Sequence, residues 1–357
     1  MDKKKRITFY SLGIASILLA AFVFCEDGRV AKPKYEFQKG MCYVTWRSGK
    51  YSTPESDASL KELAKTGTKW VAILTTWYQE RCSTTKIFPN ENTPTDSSII
   101  HAVNTAHSLG MKVMIKPHLD LIDLSEGSWR GEIACISEPD WKAWFESYRD
   151  FILHYAKMAE ENKVEMLSIG TELTSVATLR DGMWNDIIIK PVRDVYKGSL
   201  TYSANWNVEY SIVPFWNALD YIGIDAYFPL SDNVIPALEE IKKGWEEWVG
   251  EIEGFQKKIN KPIIFTEVGY CSADGTTKKP WEEIADGGKV NLKLQADCYQ
   301  ALFETFWDRK WFYGVYWWRW GTDVRFGGAN NKGFSPQNKP AQDVLKRWYK
   351  KFTPKPN

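Results

Sequence analysis

Two glutamates in this sequence each follow directly on an apolar, strand-like run. Residues 167–171 read LSIGT before Glu172, and residues 263–266 read IIFT before Glu267. A charge buried after such a run destabilises a protein unless a partner compensates for it, so each glutamate forms either a salt bridge under the loops or part of a site. Two carboxylates in one site can cleave a glycosidic bond, because a neutral one protonates the leaving oxygen while an ionised one attacks the anomeric carbon. Since two glutamates share the pattern, we favour the site.

Other catalytic chemistries have weaker support in the sequence. His118, Asp120 and Asp123 lie close together and suggest a metal site, but no HxH or HExxH motif accompanies them, and catalytic zinc usually takes more than one imidazole or thiolate. The sequence has no GxSxG motif for a nucleophilic serine and no glycine-rich nucleotide motif of the GxGxxG or GxxxxGK[ST] type. We therefore expect neither a metal nor another cofactor.

Short apolar runs rich in β-branched and aromatic residues alternate with helix-like segments along the chain. The predicted strands are residues 40–46, 70–77, 112–118, 166–172, 200–205, 221–227, 263–269 and 314–318. Between them, segments such as 140–155 and 235–252 have apolar residues at the three- and four-residue spacing of a helix. Helix starts are predicted at Thr53-Pro54 and Thr93-Pro94, and helix ends at Gly67 and Gly110. Strands that alternate with helices predict parallel pairing and the α/β class.

The lengths of the connections distinguish a closed barrel from an open, doubly wound sheet. Joints from helix to strand are short, as at 67–69 and 110–111, whereas joints from strand to helix are long, as at 119–137 and 271–289. Long loops after the strands build the active face of a (β/α)8 barrel, and an open sheet would more often show a glycine-rich first turn. We therefore predict a single (β/α)8 TIM barrel over residues 39–352.

Seven short motifs occur in an informative order and spacing, although each is weak by itself. They are Lys39-Gly40-Met41, Lys116-Pro117-His118, Trp129-Arg130-Gly131, Ile169-Gly170-Thr171-Glu172-Leu173, Asp225-Ala226-Tyr227, Thr266-Glu267-Val268-Gly269-Tyr270 and Tyr316-Trp317-Trp318. Together they resemble glycoside hydrolase family 113, in clan A of the glycoside hydrolases, over about residues 38–352. Characterised members of that family are mainly β-1,4-mannanases, so the resemblance implies a retaining enzyme on a TIM barrel.

The resemblance also implies a role for each glutamate. In the clan pattern the glutamate after the fourth strand is the acid/base, and the glutamate after the seventh strand is the nucleophile, which assigns these roles to Glu172 and Glu267. Thr171 stands where many clan members have an asparagine that binds the sugar 2-hydroxyl. Because a hydroxyl has a shorter reach and fewer donors than an amide, this chain departs from the clan pattern in the reacting subsite.

Aromatic and polar side chains near the predicted strand ends are candidate substrate contacts. The resemblance implies that Tyr227 hydrogen-bonds the nucleophile, and that Trp318 or its neighbour Trp317 forms the floor under the reacting sugar. Strand alternation turns only one of the two tryptophans inward, and we favour Trp318. Further candidates, which packing would also explain, are Trp46, Trp77, His118, Asn205 and Trp206.

Composition and charge narrow the classes of partner. A chain of 357 residues with 44% hydrophobic and 25% charged residues is typical of a globular protein. With 46 basic and 45 acidic residues it has no excess of positive charge for nucleic acid or for an anionic membrane surface. The 18 Trp, 17 Tyr and 17 Phe exceed what packing alone explains, and flat apolar rings can stack on sugars. We expect a polysaccharide or oligosaccharide substrate.

The N-terminus has the pattern of an export signal. Basic residues 1–6 precede an uncharged apolar stretch at 7–24, and Cys25 follows directly. This placement resembles a bacterial lipoprotein signal, although Phe22-Val23-Phe24 replaces the usual small residues. We predict a signal over residues 1–25, a tether over 26–38 and an exported protein held at a membrane through a lipidated Cys25, with simple cleavage or an uncleaved anchor as alternatives. The five other cysteines have irregular spacing and indicate no disulfide framework, although one pair could bridge in an oxidising compartment.

The sequence thus predicts an exported, retaining glycoside hydrolase, specifically an endo-β-1,4-mannanase that acts on mannan or glucomannan. Two alternatives stay open. One is the same mechanism on another β-linked glycan, such as glucan or xylan. The other is a carbohydrate-binding barrel that has lost catalysis.

Overall fold

The structure, a computed structural model, describes residues 35–127, 129–283 and 288–351. The predicted export signal with Cys25, residues 26–34 of the predicted tether and residue 352 lie outside the described residues. Within those described ranges, no helix is both long and apolar enough to cross a membrane.

In the described chain, eight parallel strands close into a barrel in which each strand pairs with the next one along the sequence and the last pairs with the first. The strands are β1 (Gln38–Val44), β2 (Trp70–Gln79), β3 (Lys112–Leu121), β4 (Met166–Thr171), β5 (Ser199–Asn205), β6 (Ile222–Asp225), β7 (Ile263–Val268) and β8 (Phe312–Gly321). This topology confirms the predicted α/β class and the single (β/α)8 barrel.

Helices surround the barrel, and several of them begin at local sequence signals. They are α1 (Pro54–Lys65), α2 (Asp96–Ser108), α3 (Glu138–Glu161), α4 (Thr174–Leu179), α5 (Asp181–Met183), α6 (Lys190–Val195), α7 (Glu209–Ile212), α8 (Leu238–Ile259), α9 (Leu292–Phe306) and α10 (Pro340–Lys351). The predicted start at Thr53 is confirmed, because its hydroxyl accepts the backbone N–H of Ser56 at the helix terminus. The second helix begins at Asp96, two residues after the predicted Pro94, and Thr95 caps it.

Strand alternation divides the core into two layers. Residues such as Ala72, Leu74 and Met114 pack with other strand residues in a cluster that contains no helix residue, which is the barrel interior. Their neighbours in sequence, such as Val71 and Ile73, pack in the larger cluster that includes the helices. The period of two along each strand therefore decides which side chains can reach the barrel mouth.

The cysteines of the barrel contribute to packing. Cys42, Cys82, Cys135 and Cys298 carry free thiols and are buried. No disulfide therefore joins any two of these four, and burial raises the pKa of the Cys42 and Cys298 thiols well above its usual value.

Candidate active site

A cleft of about 810 Å³ opens where the carboxyl ends of the strands meet, and both Glu172 and Glu267 line it. Glu172 comes directly after β4, and Glu267 is the last residue but one of β7. Sites of (β/α)8 enzymes lie at this end of the barrel, because the long loops after the strands surround it. The fold thus brings the two predicted carboxylates into one pocket.

Glu267 is surrounded by groups that stabilise its negative charge. The ammonium of Lys116 and the hydroxyl of Tyr227 both donate to its carboxylate, the latter at 2.7 Å, and Nε2 of His118 lies 3.4 Å from Oε1. Burial pushes the pKa of Glu267 upward, but Lys116, and after it His118, holds the pKa at about 2. Glu267 is therefore ionised throughout the neutral range, as a nucleophile must be.

An irregularity in the sheet allows Glu267 to point into the barrel. The pairing register shifts between Phe265 and Val268 on the side of β8, and between Ile224 and Asp225 on the side of β6. As a result two consecutive residues, Thr266 and Glu267, both contact groups inside the barrel, although a regular strand would turn one of them outward.

Asp225 and Lys116 form the support beneath Glu267. Lys116 is fully buried and donates to both oxygens of Asp225, at 3.1 and 3.2 Å, while the hydroxyl of Thr266 donates to Asp225 at 2.7 Å. Burial and the neighbouring charge of Glu267 raise the pKa of Asp225 well above its usual value. One buried cation thus serves two carboxyl groups.

Glu172 lies in a different environment. Nη1 of Arg130 is 3.1 Å from its Oε2, and Nδ2 of Asn205 donates to its Oε1 at 2.8 Å. Burial raises the pKa of Glu172 and Arg130 opposes this, but the negative charge of Glu267 adds to the rise, so the pKa lies above its ordinary value. A carboxyl whose pKa is raised keeps its proton to higher pH and can serve as a general acid.

The backbone at Glu172 has an uncommon conformation. Its φ of +51° lies in the left-handed region, which residues other than glycine seldom adopt. The N–H of Glu172 donates to the carbonyl of Ser203 on β5 at 2.8 Å, which holds the turn in place. This turn directs the side chain over the mouth of the barrel.

The family of this chain follows from its match to a protein-family model. The model of Glycoside Hydrolase Family 113 matches residues 41–339. The chain belongs to glycoside hydrolase family 113. It is therefore a glycoside hydrolase, and the predicted resemblance is confirmed.

Solved structures similar to this family 113 enzyme include members of the same family. A GH113 β-1,4-mannanase is 30% identical, with a TM-score of 0.79 over 89% of this chain and 100% of that chain. The GH113 β-mannanase from Alicyclobacillus acidocaldarius, in complex with ManMIm, is 31% identical, with a TM-score of 0.78 over 88% and 97% of the two chains. A β-glucuronidase from Bifidobacterium dentium, at 15% identity and a TM-score of 0.58 over 90% of this chain and 48% of its own, shows the fold alone. A comparison with curated proteins gave no match.

Most of the candidate substrate contacts of the family 113 enzyme meet in the cleft. Those that line it are Trp46, His118, Asn205, Trp206, Tyr227 and Trp318. Trp317 instead is fully buried in the outer core, where its ring stacks on Tyr299 at 3.5 Å between centroids. The choice of Trp318 over Trp317 as the inward residue agrees with this placement. The rings of Trp318 and His118 are parallel within 3° and lie 6.2 Å apart.

Trp77 does not line the cleft, so the structure does not bring this predicted substrate contact together with the others. Its indole N–H donates to the hydroxyl of Tyr155 at 2.9 Å, and its ring packs against Phe151, both on α3. Ala72 and Leu74 point into the barrel, so the period of two turns Trp77 outward and Tyr78 inward. Tyr78 accordingly lines the cleft.

Several residues of the cleft were not identified from the sequence. Arg130, Tyr78, Trp129, Trp281 and Phe334 line it, and Lys116 lies directly beneath. A signal for Lys116 was present, because a lysine two positions before His118 in an apolar strand must share its face. Trp129 and Arg130 belong to a motif that carries the family resemblance, but that motif by itself does not show that they face the cleft. Tyr78 follows Trp77 on β2, and for the loop residues Trp281 and Phe334 the sequence gives no sign that they turn toward the mouth.

The residues first considered as metal ligands have other partners. Asp120 pairs with Arg130, and Asp123 with Arg81 at 3.9 Å. Burial lowers the pKa of His118 to about 4, with Arg130 adding to the effect, so the ring is neutral. In the part of the chain that the structure describes, no group of three or more His, Cys, Asp and Glu side chains is placed to hold a metal.

Proposed function

We propose that this family 113 enzyme cleaves β-1,4-linked mannan or glucomannan within the chain and retains the configuration at the anomeric carbon. The observation that carries the proposal is the pair of glutamates in one cleft, one with its pKa raised and one with its pKa at about 2. Relatives at 30 and 31% identity are a β-1,4-mannanase and a β-mannanase, which supports the choice of sugar.

The reaction proceeds in two displacements. In the first, Glu267 attacks the anomeric carbon and forms a glycosyl ester, while Glu172 gives its proton to the glycosidic oxygen as that bond breaks. In the second, Glu172, now ionised, takes a proton from water, which attacks the same carbon and releases Glu267. Lys116 and Tyr227 stabilise Glu267 whenever it carries its charge.

The aromatic lining supports a chain-like substrate. Trp318 and Trp46 lie on the β8 and β1 side of the cleft, and Trp206 with Trp281 lies on the side of β5. The rings of Trp206 and Trp281 stack on each other at 5.1 Å between centroids, and Trp281 is 43% exposed. Sugar rings present apolar faces that pack on such side chains, so binding on both sides of the two glutamates is the expected mode of an endo-acting enzyme.

Trapping tests the nucleophile, the stereochemistry and the sugar together. Incubation with a 2-deoxy-2-fluoro mannosyl fluoride should inactivate the enzyme and add one glycosyl group to the peptide that contains Glu267, as found by mass mapping. The 2-fluoro glucosyl analogue is the matched control and should react more slowly. An adduct on another residue, or turnover of mannan with inverted product and no adduct, would refute the mechanism. If the enzyme cleaves glucan or xylan faster than mannan in a polysaccharide panel, the proposed preference for mannan is wrong.

The role of Glu172 needs its own test. Replacement by alanine should abolish cleavage of sugar leaving groups while activated aryl glycosides still form the intermediate, because only the former need a proton. Added azide should then accelerate turnover of the aryl substrate and yield a glycosyl azide, since it needs no base. Equal losses on both substrates with no azide product would contradict the assignment.

We also propose that the protein is exported and anchored through a lipid on Cys25. The support is the order of basic residues 1–6, apolar residues 7–24 and Cys25. Cells that express the full chain should incorporate a fatty-acid analogue into the enzyme, and Cys25→Ala should lose the label and move the activity to the soluble exported fraction. Equal labelling of both proteins, or none in either, would refute the anchor.

A further inference from the structure

Glu209 is a buried carboxylate next to the site that the reaction does not use. It follows β5 at the start of α7, is 0% exposed and does not line the cleft. Its Oε1 accepts the hydroxyl of Tyr202 at 2.5 Å. Its Oε2 accepts the backbone N–H of Asn205 at 2.7 Å and the hydroxyl of Thr174 at 3.0 Å.

These contacts reach Glu172 along two routes. On one, the Tyr202 hydroxyl that donates to Glu209 also accepts the N–H of Leu173 at 2.8 Å, so Glu209 holds the segment directly after Glu172. On the other, Glu209 fixes the backbone of Asn205, whose side-chain amide donates to Oε1 of Glu172 at 2.8 Å. One carboxylate thus fixes both the turn that carries Glu172 and the amide that orients it.

The arrangement requires a carboxylate at this position. Three donors converge on its two oxygens, whereas a glutamine offers a single acceptor oxygen and would turn an NH₂ toward one of them. Keeping a carboxylate here is costly, because burial raises the pKa of Glu209 to about 7. Val208, just before it, has a φ of +67°, which is unfavourable for a β-branched residue. Structure at this cost is expected where it supports function.

We propose that Glu209 is a positioning residue, which holds the carboxyl group of Glu172 in the geometry for proton transfer through Tyr202 and Asn205. The inference depends on the proposed role of Glu172 as acid/base. A misplaced acid slows those reactions that need a proton on the leaving group, whereas a general loss of structure slows all substrates alike.

The test compares two leaving groups on the glycone that the wild-type enzyme cleaves fastest, one a sugar and one 2,4-dinitrophenolate. Glu209→Gln and Tyr202→Phe should each lower kcat/KM for the sugar leaving group by about tenfold or more, and for the dinitrophenyl substrate by less than about threefold. Glu165→Gln is the matched control. Glu165 also accepts a backbone N–H, from Val113 at 2.9 Å, but it precedes β4 at the opposite end of the barrel. Glu165→Gln should keep the wild-type ratio of kcat/KM between the two substrates.

Glu172→Gln, measured beside these variants, separates the inference from the proposal on which it depends. If Glu172→Gln lowers kcat/KM equally for the two leaving groups, the acid/base assignment is wrong. If Glu172→Gln lowers kcat/KM mainly for the sugar leaving group, but Glu209→Gln and Tyr202→Phe slow both substrates equally, Glu209 has a structural role only and the inference is overturned. Should Glu209→Gln fail to fold by circular dichroism, Tyr202→Phe, which keeps its buried ring, decides the outcome alone.

Discussion

At the scale of single residues, two glutamates acquire opposite properties from their neighbours. Glu267 has a lysine and a tyrosine hydroxyl on its carboxylate, whereas Glu172 has an arginine and a side-chain amide. The raised pKa of Glu172 depends in part on the negative charge of Glu267. The two groups are thus electrostatically linked, and changes to either set of neighbours should appear in the pH dependence of the rate.

Replacement of Lys116 tests how Glu267 is kept ionised. Lys116→Met leaves two buried carboxyl groups without their cation, so the pKa of Glu267 should rise by about 1 to 3 units. Because Glu267 must be ionised to attack, the acidic limb of kcat/KM should move to higher pH by a similar amount. The free energy of unfolding should fall by about 3–5 kcal/mol, since a buried pair loses one partner. pH–rate profiles and urea unfolding measure the two effects.

Lys112 on the same strand provides the control for Lys116. It pairs with Glu36 at the surface, where both side chains are more than 40% exposed. Lys112→Met should leave the acidic limb of kcat/KM in place. It should change the free energy of unfolding by no more than about 0.5 kcal/mol. An acidic limb that stays in place in Lys116→Met would show that Lys116 does not keep Glu267 ionised.

We expect Arg130 to influence the alkaline limit of the pH range in which the enzyme is active. It is the strongest influence that lowers the pKa of Glu172, so Arg130→Met should raise that pKa further. Glu172 acts as an acid only while protonated, and the alkaline limb of kcat/KM should therefore move to higher pH even though the maximal rate falls. Arg81→Met, which removes an exposed loop arginine that pairs with Glu126 at 3.0 Å, should leave the limb unmoved. A downward shift in Arg130→Met would contradict the assignment of this limb to Glu172.

At the scale of elements, the sequence predicts the barrel because each strand is a contiguous apolar run between helical patterns. Such local signals place every predicted strand on an observed one, with ends that differ by a few residues, as in β6, which spans Ile222–Asp225 against a prediction of 221–227. Where the pairing register is regular, the face of each side chain follows from the same period of two. Applied from Ala72 onward, that period turns Trp77 outward.

Contacts between distant segments of the chain cannot be read from such local patterns. The register shifts beside Glu267 arise from pairing between β6, β7 and β8, which no single segment encodes. Arg130 reaches Glu172 across 42 positions of sequence, and Glu172 and Glu267 share a pocket through contacts between distant strands. Loop residues such as Trp281 turn toward the mouth because of their neighbours in space, and local patterns do not reveal those neighbours.

Adjacent residues of β2 offer a test of strand alternation. Trp77→Ala removes a ring that packs on α3 and should destabilise the fold by about 3 kcal/mol with KM unchanged. Tyr78→Ala removes a ring of the cleft and should raise KM for oligosaccharides several-fold. Steady-state kinetics separates the two variants, because only Tyr78→Ala should raise KM, and urea unfolding measures the stability lost with the Trp77 ring. A rise in KM for Trp77→Ala alone would return that tryptophan to the substrate site.

At the scale of the whole molecule, the two ends of the barrel have separate tasks. The carboxyl ends of the strands carry Glu172, Glu267 and the cleft. At the other end the last helix, α10, covers the junction of the first and last strands: Lys39 donates to the carbonyl of Tyr349 at 2.6 Å, and the Tyr349 hydroxyl donates to the carbonyl of Gly40 at 2.8 Å. Stability at the closure and chemistry at the mouth should therefore respond to different substitutions.

Tyr349→Ala tests this division of tasks. The side chain is buried and its hydroxyl also lies 3.2 Å from the carbonyl of Val315 on β8, so its loss leaves a cavity and unpaired carbonyls where β1 meets β8. We expect the free energy of unfolding to fall by about 3 kcal/mol or more and Tm to fall by several degrees. Well below Tm, kcat/KM should stay within about twofold of the wild type, because the barrel transmits little of a local change to the opposite mouth. Tyr349→Phe is the matched variant, which keeps the ring and should recover most of the stability. A large loss of kcat/KM in folded Tyr349→Ala would mean that closure of the barrel and geometry of the two glutamates are coupled.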